Sequence, residues 1–265
     1  MVLAGLPLAA CLAKINSQVK GVRLGVQTYS FRDFDSRNYS DLVIDAMTKI
    51  GIGECELQFP RPAIGSQQPI AYYREVGKKF KEAGIEVHVY NAAFGRTDEE
   101  VDREFQIAKA VGARMIASST TLSMAKRAVP FAEKHKMVLA FHNYSDTTDP
   151  ERFATPQSLA APLAMSQYYR TNLDIGHFTA AGYDAVAYIQ EHHEKITHLH
   201  LKDRKKNQGP DTPWGDGDAP IKQVLELLRD KKYPIRAYVE YEYKGAGTIT
   251  EEVKKCFEYA KAALS

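Results

Sequence analysis

The feature that most limits what this chain can fold into is a recurrence. Eight short runs rich in apolar and β-branched residues occupy residues 23–29, 54–59, 85–91, 114–119, 137–143, 170–175, 196–201 and 235–241. They return about every 30 residues, the length of one strand plus one helix. The gaps carry helical patterns. Residues 71–83 stop at Gly84, and residues 97–111 open on Thr97 with Glu100 at capping-box spacing and stop at Gly112. Helices are also expected at 39–50, 122–135, 156–168, 181–193, 220–231 and 248–264, with Pro130 kinking or splitting the fourth helix of the chain. Eight strands alternating with eight helices in 265 residues predict an α/β protein, a (β/α)8 TIM barrel. A doubly wound open sheet would normally hold fewer units and carry a Gly-rich nucleotide turn. No GxGxxG, Walker A or GxSxG sequence is present. No composition break divides the chain, so residues 22–265 read as one barrel domain.

Residues 1–21 stand apart as an apolar N-terminal segment. The run at 1–13 has the small, apolar character of a secretory signal without its basic front, and Leu8-Ala9-Ala10-Cys11 resembles a bacterial lipoprotein cleavage box. A helix capping the barrel explains the same residues. The first reading exports the protein, to a bacterial periplasm; the second leaves it cytoplasmic. No stretch of 18 apolar residues exists, so no membrane span is expected. Lys plus Arg number 35 and Asp plus Glu 33, a net +2 that argues against a nucleic-acid partner. Cys11, Cys55 and Cys256 are too dispersed for a zinc ribbon or a disulfide framework. A homo-oligomer stays open.

Barrel strands are buried on both faces, so polar residues within them need a reason. The second strand alternates Glu54, Glu56 and Gln58 on one face with Cys55 and Leu57 on the other. Glu54 and Glu56 then point into the barrel, where a charge must be paired or bound to metal. A buried ion pair with Lys or Arg would satisfy them. The fifth strand ends at His142-Asn143, and the sixth at Asp174, with His177 just beyond. The seventh carries His198, His200 and Lys202 on one face, and the eighth reads Val239-Glu240-Tyr241-Glu242. Catalytic groups of such barrels come from strand C-termini. Imidazoles and carboxylates converging there suit Zn, Mn or another divalent ion.

At these residues the chain resembles the xylose isomerase-like TIM barrels, the superfamily of sugar phosphate isomerase/epimerases, ketose 3-epimerases and endonuclease IV. The segments that carry the resemblance are LGVQTYSFRDF, ECELQ, DIGH, HLHLKD, WGDGD and VEYE. It spans nearly the whole chain from Val22. It implies one divalent metal ion (Mn, Zn, Co or Mg) held by His142, Asp174, His200 and Glu240. His142 departs from the pattern, because the epimerases carry glutamate there. It further implies that His177 contacts substrate and that Lys202 and Glu56 line the pocket.

The implied activity is that of a carbohydrate isomerase or epimerase acting on a ketose or keto-sugar through an enediolate. Glu240, His142 or Glu56 would take the carbon-bound proton, with Glu240 as the dominant base. A lyase or dehydratase could use the same site. An endonuclease IV-like phosphodiesterase and a non-catalytic sugar-binding barrel are the readings of a different class. The aromatics at strand ends suit a sugar. Tyr29 is expected in the pocket, His88 as a further substrate contact, and Trp214 as part of a lid formed by the Gly-rich loop at 203–219.

Overall fold

The computed structural model describes residues 13–60 and 68–265. Eight strands run in parallel, in chain order: β1 (Val22–Gln27), β2 (Glu54–Leu57), β3 (Glu86–Asn91), β4 (Met115–Ser118), β5 (Val138–His142), β6 (Tyr169–Asp174), β7 (Ile196–Leu201) and β8 (Arg236–Val239). The first also pairs with the last, Leu24 opposite Ala237 and Val26 opposite Val239, which closes the sheet into a (β/α)8 barrel. Closure leaves no sheet edge.

The helices wrap the outside: α1 (Tyr39–Ile50), α2 (Ile70–Glu82), α3 (Asp98–Ala110), α4 (Leu122–His135), α5 (Pro156–Leu163), α6 (Ile175–Ala180), α7 (Ala185–His192), α8 (Ile221–Lys231) and α9 (Ile249–Leu264). Each buries one stripe. In α8 the buried set Ile221, Val224, Leu225 and Leu228 falls at the i, i+3, i+4, i+7 spacing of a helix face. Thr97 and Thr248 cap α3 and α9 in full capping boxes, with Glu100 and Glu251 closing them.

Two expectations change. The helix foreseen at 181–193 is shorter, Ala185–His192, because Gly182 turns left-handed and Asp184 starts α7 by accepting the Ala187 N–H, and the unforeseen α6 precedes it. Pro130 does not split α4, which runs unbroken; Pro130 lies on its exposed side, where water can take the carbonyl the proline leaves without a donor.

The first twelve residues of the N-terminal segment lie outside the described residues. From residue 13 the chain crosses the N-terminal end of the barrel. Ile15 N–H bonds Gly84 O, Ser17 Oγ bonds Leu24 O, and Gln18–Val19 pairs antiparallel with β1 through a two-residue turn at Lys20-Gly21. Both turn residues have positive φ, as a tight hairpin requires. No helix among the described residues is long and apolar enough to cross a membrane. Cys55 and Cys256 are buried and unpaired.

The barrel interior is layered. Nearest the N-terminal end lies a charged layer. Glu54 takes Arg236 at 3.1 Å and Arg23 at 3.3 Å, while Glu86 meets Arg114 at 3.3 Å and His88 at 3.2 Å. So Glu54 is the buried ion pair that its sequence position allowed. Above it is a thin apolar layer of Val89, Ala117 and Tyr238. Gly25 makes room for it: a Cβ there would stand 2.5 Å from the Tyr238 ring. The functional groups occupy the remaining height.

Burial pushes the His88 imidazole down to about 3, with Arg236 adding to the effect and Glu86 opposing it. The unfolded chain therefore binds a proton at this site, and the folded one does not, from pH 6.5 down to about 3. Stability falls as pH drops through that window. Replacing His88 by Gln should flatten the slope of unfolding free energy against pH by up to about 1.4 kcal/mol per unit. Denaturant melts at a series of pH values measure it, and equal slopes would show that His88 is not held neutral.

Candidate active site

The register of the last four strands brings their polar ends to one level. His142 pairs with Asn172, Asp174 with His200, and His200 with Tyr238. Glu240 extends β8 by donating its N–H to Leu201 O. His142, Asp174, His200 and Glu240 are all buried, and one ligand atom from each lies within 4.8 Å of the others. Nδ1 of His142 and Nδ1 of His200 are buried and make no hydrogen bond, and Asp174 Oδ2, equally buried, has only ion-pair contacts. Buried polar atoms are rarely left so. Two imidazoles and two carboxylates with open lone pairs fit a divalent ion of the Zn or Mn type.

The charge balance agrees. The Lys202 ammonium stands 2.9 Å from Asp174 Oδ2 and 3.1 Å from Glu240 Oε2, and it also contacts Glu242. One ammonium among three carboxylates leaves negative charge uncompensated, which attracts a cation. Burial would raise the Glu240 carboxyl, but Lys202 and His200 outweigh it and hold it at about 2. Asp174 is likewise held well below the carboxylate range against its burial by His177 and Lys202. Burial pushes Glu242 up.

Neighbours fix the orientation of these groups. Asp174 Oδ1 accepts the His177 N–H at 2.7 Å, capping α6, and Asn143 clamps the Asp174 backbone through its N–H and C=O. Glu56 lies behind His200. Its Oε2 is 2.8 Å from His200 Nε2 and 2.7 Å from His198 Nε2, and its Oε1 accepts from Gln27 and Asn91. With its hydrogen directed to Glu56, a neutral His200 turns the Nδ1 lone pair toward His142, Asp174 and Glu240.

These groups floor a cavity of about 650 Å³ at the C-terminal end of the barrel, walled by Tyr29, Tyr144, Arg152 and Phe59. The family model for xylose isomerase-like TIM barrels matches residues 44–260. The chain belongs to that family. No curated protein matches it. Solved structures of the same fold include a sugar phosphate isomerase/epimerase from Parabacteroides distasonis, at 17% identity and TM-score 0.67, covering 96% of this chain and 98% of that one. An L-ribulose 3-epimerase matches at 13% identity and TM-score 0.70, over 92% and 94%. A probable 3-DHS dehydratase involved in petrobactin synthesis, from Bacillus anthracis, matches at 15% identity and TM-score 0.66, over 89% and 98%.

In this xylose isomerase-like barrel, the residues expected to meet do so in most cases. His142, His177, Lys202, Glu240 and Tyr29 all line the cavity. Asp174 lies just beneath, fully buried. Three expectations fail. Glu56 is fully buried, with both oxygens engaged, and reaches the cavity only through its partners Gln27, Asn91 and His200. His88 sits in the lower charged layer against Glu86, because the register of β2 and β3 skips one residue there and puts Val89, not His88, in phase with the upper interior. Trp214 does not line the cavity but packs edge-on against Tyr259 of α9 at 5.8 Å.

The loop expected as a lid has another organiser. The Asp203 carboxylate accepts N–H bonds from Gly215, Gly217 and Ala219. A Cβ at Gly217 would fall 1.9 Å from Asp203 Oδ1, so the WGDGD glycine serves this cap. Sequence reasoning also missed Glu242, Tyr144 and Arg204. Glu242 stood in the VEYE segment, and Tyr144 directly follows His142-Asn143. Replacing Asp203 by Ala should cost about 1–3 kcal/mol, the range for stranding buried donors. Limited proteolysis should then cut within 204–219. Unchanged stability together with an uncut loop would refute the cap.

Proposed function

We propose that this protein is a divalent-metal-dependent carbohydrate isomerase or epimerase acting on a ketose or keto-sugar. The observation that carries the reading is the quartet His142, Asp174, His200 and Glu240, with two buried imidazole nitrogens lacking hydrogen bonds, on the floor of a 650 Å³ polar and aromatic cavity. The family and the names of the structures above support the choice of substrate class.

When bound, such an ion supplies Lewis acidity that polarises a carbonyl and acidifies the neighbouring C–H. The chain does the rest. Glu240 is ionised at neutral pH and takes the carbon-bound proton, a step worth roughly 10²–10⁴-fold. The second carboxylate at the cavity is Glu242 rather than Glu56. It lines the space, and burial raises its pKa while Lys202 opposes that. Lys202 bridges the two and stabilises negative charge that develops between them. Tyr29 and Tyr144 give the sugar ring apolar faces, and the water-poor floor strengthens each polar contact.

A dehydratase uses the same proton removal and then expels a β-oxygen. His142 favours it as the second reading. An imidazole holding an ion has lost its lone pair, so the floor lacks the opposed base that two-face epimerisation needs.

Incubation with a panel of keto-sugars in D2O tests the reading by NMR. Deuterium should enter beside the carbonyl. Glu240→Gln should abolish exchange while the protein still binds metal, whereas exchange that survives in Glu240→Gln would displace Glu240 as the base. No exchange with any keto-sugar would reject the activity.

The metal is tested separately. Adding Mn²⁺ or Zn²⁺ to stripped protein at about 100 times its Kd should raise stability by about 2.7 kcal/mol. His200→Ala should lose that gain, and Glu56→Gln should weaken affinity roughly 10–100-fold. Acid should release the ion as the ligands protonate. An equal gain in His200→Ala would rule out this quartet.

A further inference from the structure

Among the described residues, three Arg and Lys side chains line the cavity: Arg32, Arg152 and Lys202. The protein itself occupies two of them. Lys202 sits among Asp174, Glu240 and Glu242. Arg32 ties the loop after β1 to the residues after β8, donating to Tyr241 O at 2.8 Å and to Tyr29 O and Glu242 O at 3.4 Å. Arg152 differs. Among the described residues its guanidinium donates no hydrogen bond, and its one ion-pair contact is Nε to Asp149 Oδ2 at 3.6 Å. Both partners are well exposed, and such a pair contributes little. Asp149 is set by its own turn, since its Oδ1 accepts the Glu151 N–H at 2.9 Å. The five donors of the Arg152 fork are therefore open.

The fork is nevertheless held in place. Its Cζ lies 4.4 Å from the centre of the Tyr144 ring, within cation–π range. The Tyr144 hydroxyl donates to Ser119 O at 3.2 Å and so anchors that ring. Both chain neighbours of Arg152 are fixed. Glu151 accepts the Leu122 N–H on its carbonyl and the Ser123 N–H on its carboxylate, each at 2.9 Å. Phe153 O accepts the Tyr144 N–H at 2.9 Å, and its buried ring packs on Phe141. Tyr144 in turn neighbours His142 and His177, with ring centres 5.7 and 6.2 Å apart. Arg152 thus stands one aromatic ring away from the quartet, in the same cavity.

A positioned guanidinium with open donors matches an oxyanion, which it can grip through two parallel bonds. The wall has the sign for it: Arg32 and Arg152 face only Asp33 there, whereas the floor is acidic. We infer that Arg152 is a specificity-determining residue that takes an anionic group, a carboxylate or a phosphate, on the part of the ligand that points away from the quartet. The inference rests on the carbohydrate reading for the body of the ligand and not for its anionic end. A ligand without that charge leaves the fork unpaired and is selected against.

The test compares matched keto-sugars, one neutral, one phosphorylated and one carrying a terminal carboxylate, by exchange in D2O with Mn²⁺-loaded protein. One of the two anionic members should exceed the neutral one roughly 10–100-fold in kcat/KM, the range for a hydrogen bond to a charged group. Which of them leads identifies the anion. Arg152→Met, which keeps a stem over Tyr144 and removes the fork, should bring the ratio close to one. A wild-type ratio near one, or a preference that survives in Arg152→Met, would overturn the assignment. If Arg152→Met does not fold, Arg152→Lys decides with the wild-type ratio. It keeps a charge without the paired donors and should retain only part of the preference, and an undiminished preference would overturn the fork. If no keto-sugar exchanges, the carbohydrate reading falls, and calorimetry with inorganic phosphate judges the arginine separately. Wild type should then bind phosphate roughly 10-fold more tightly than Arg152→Met. Equal affinities would remove the anion site as well.

Discussion

The structure above the apolar layer depends on a carboxylate that never meets solvent. Glu56 is fully buried in the barrel wall, where an unpaired charge would be prohibitive. It is tolerated because four groups from three other strand ends converge on it: Gln27, Asn91, His198 and His200. Burial pushes this carboxyl up, but the two histidines outweigh that and hold it ionised. Removing one member of such a buried set typically costs about 3–5 kcal/mol, far more than an exposed pair would. The set also links β1, β2, β3 and β7 across the barrel interior. It aligns His200 from behind, so the geometry of the floor is inherited from a residue that does not touch the cavity.

Lys202 does the corresponding work on the near side. It holds Asp174, Glu240 and Glu242 within one cluster although their charges repel. Burial would lower its pKa, but Asp174 and Glu240 outweigh that and keep it charged. The one ammonium does not balance the three carboxylates it touches. That imbalance favours a cation at the quartet on physical grounds and not only on spacing.

The barrel was legible because its signal is distributed. Eight strand runs and eight helix patterns reinforce one another, so a misplaced end such as that of α5 changes nothing in the topology. The floor residues were legible for a related reason: in a strand buried on both faces, His200 or Asp174 is conspicuous. What stayed hidden follows from the same logic. The amides Gln27, Asn91 and Asn172 carry no charge and attract no suspicion, yet they orient Glu56 and His200. His88 was misplaced by one skipped residue in register, which alternation counted along a single strand cannot detect. Trp214 misled because a lone tryptophan among glycines looks like a lid. The glycines instead let the backbone close on Asp203, and the indole packs on α9.

The floor also bears on how one scaffold could divide between isomerisation, epimerisation and elimination. Proton removal beside a carbonyl is common to all three, so the outcome is decided by which group can return or redirect the proton. On the proposed reading, Glu240 is tied to Lys202 and His200 and is a weak base until that contact loosens, whereas Glu242 sits farther out with a raised pKa. Both belong to β8 and the residues just after it, so they approach a ligand from one side. A histidine at position 142 adds no opposed carboxylate. The asymmetry favours a proton taken and returned on the same face, or not returned at all, over transfer between faces.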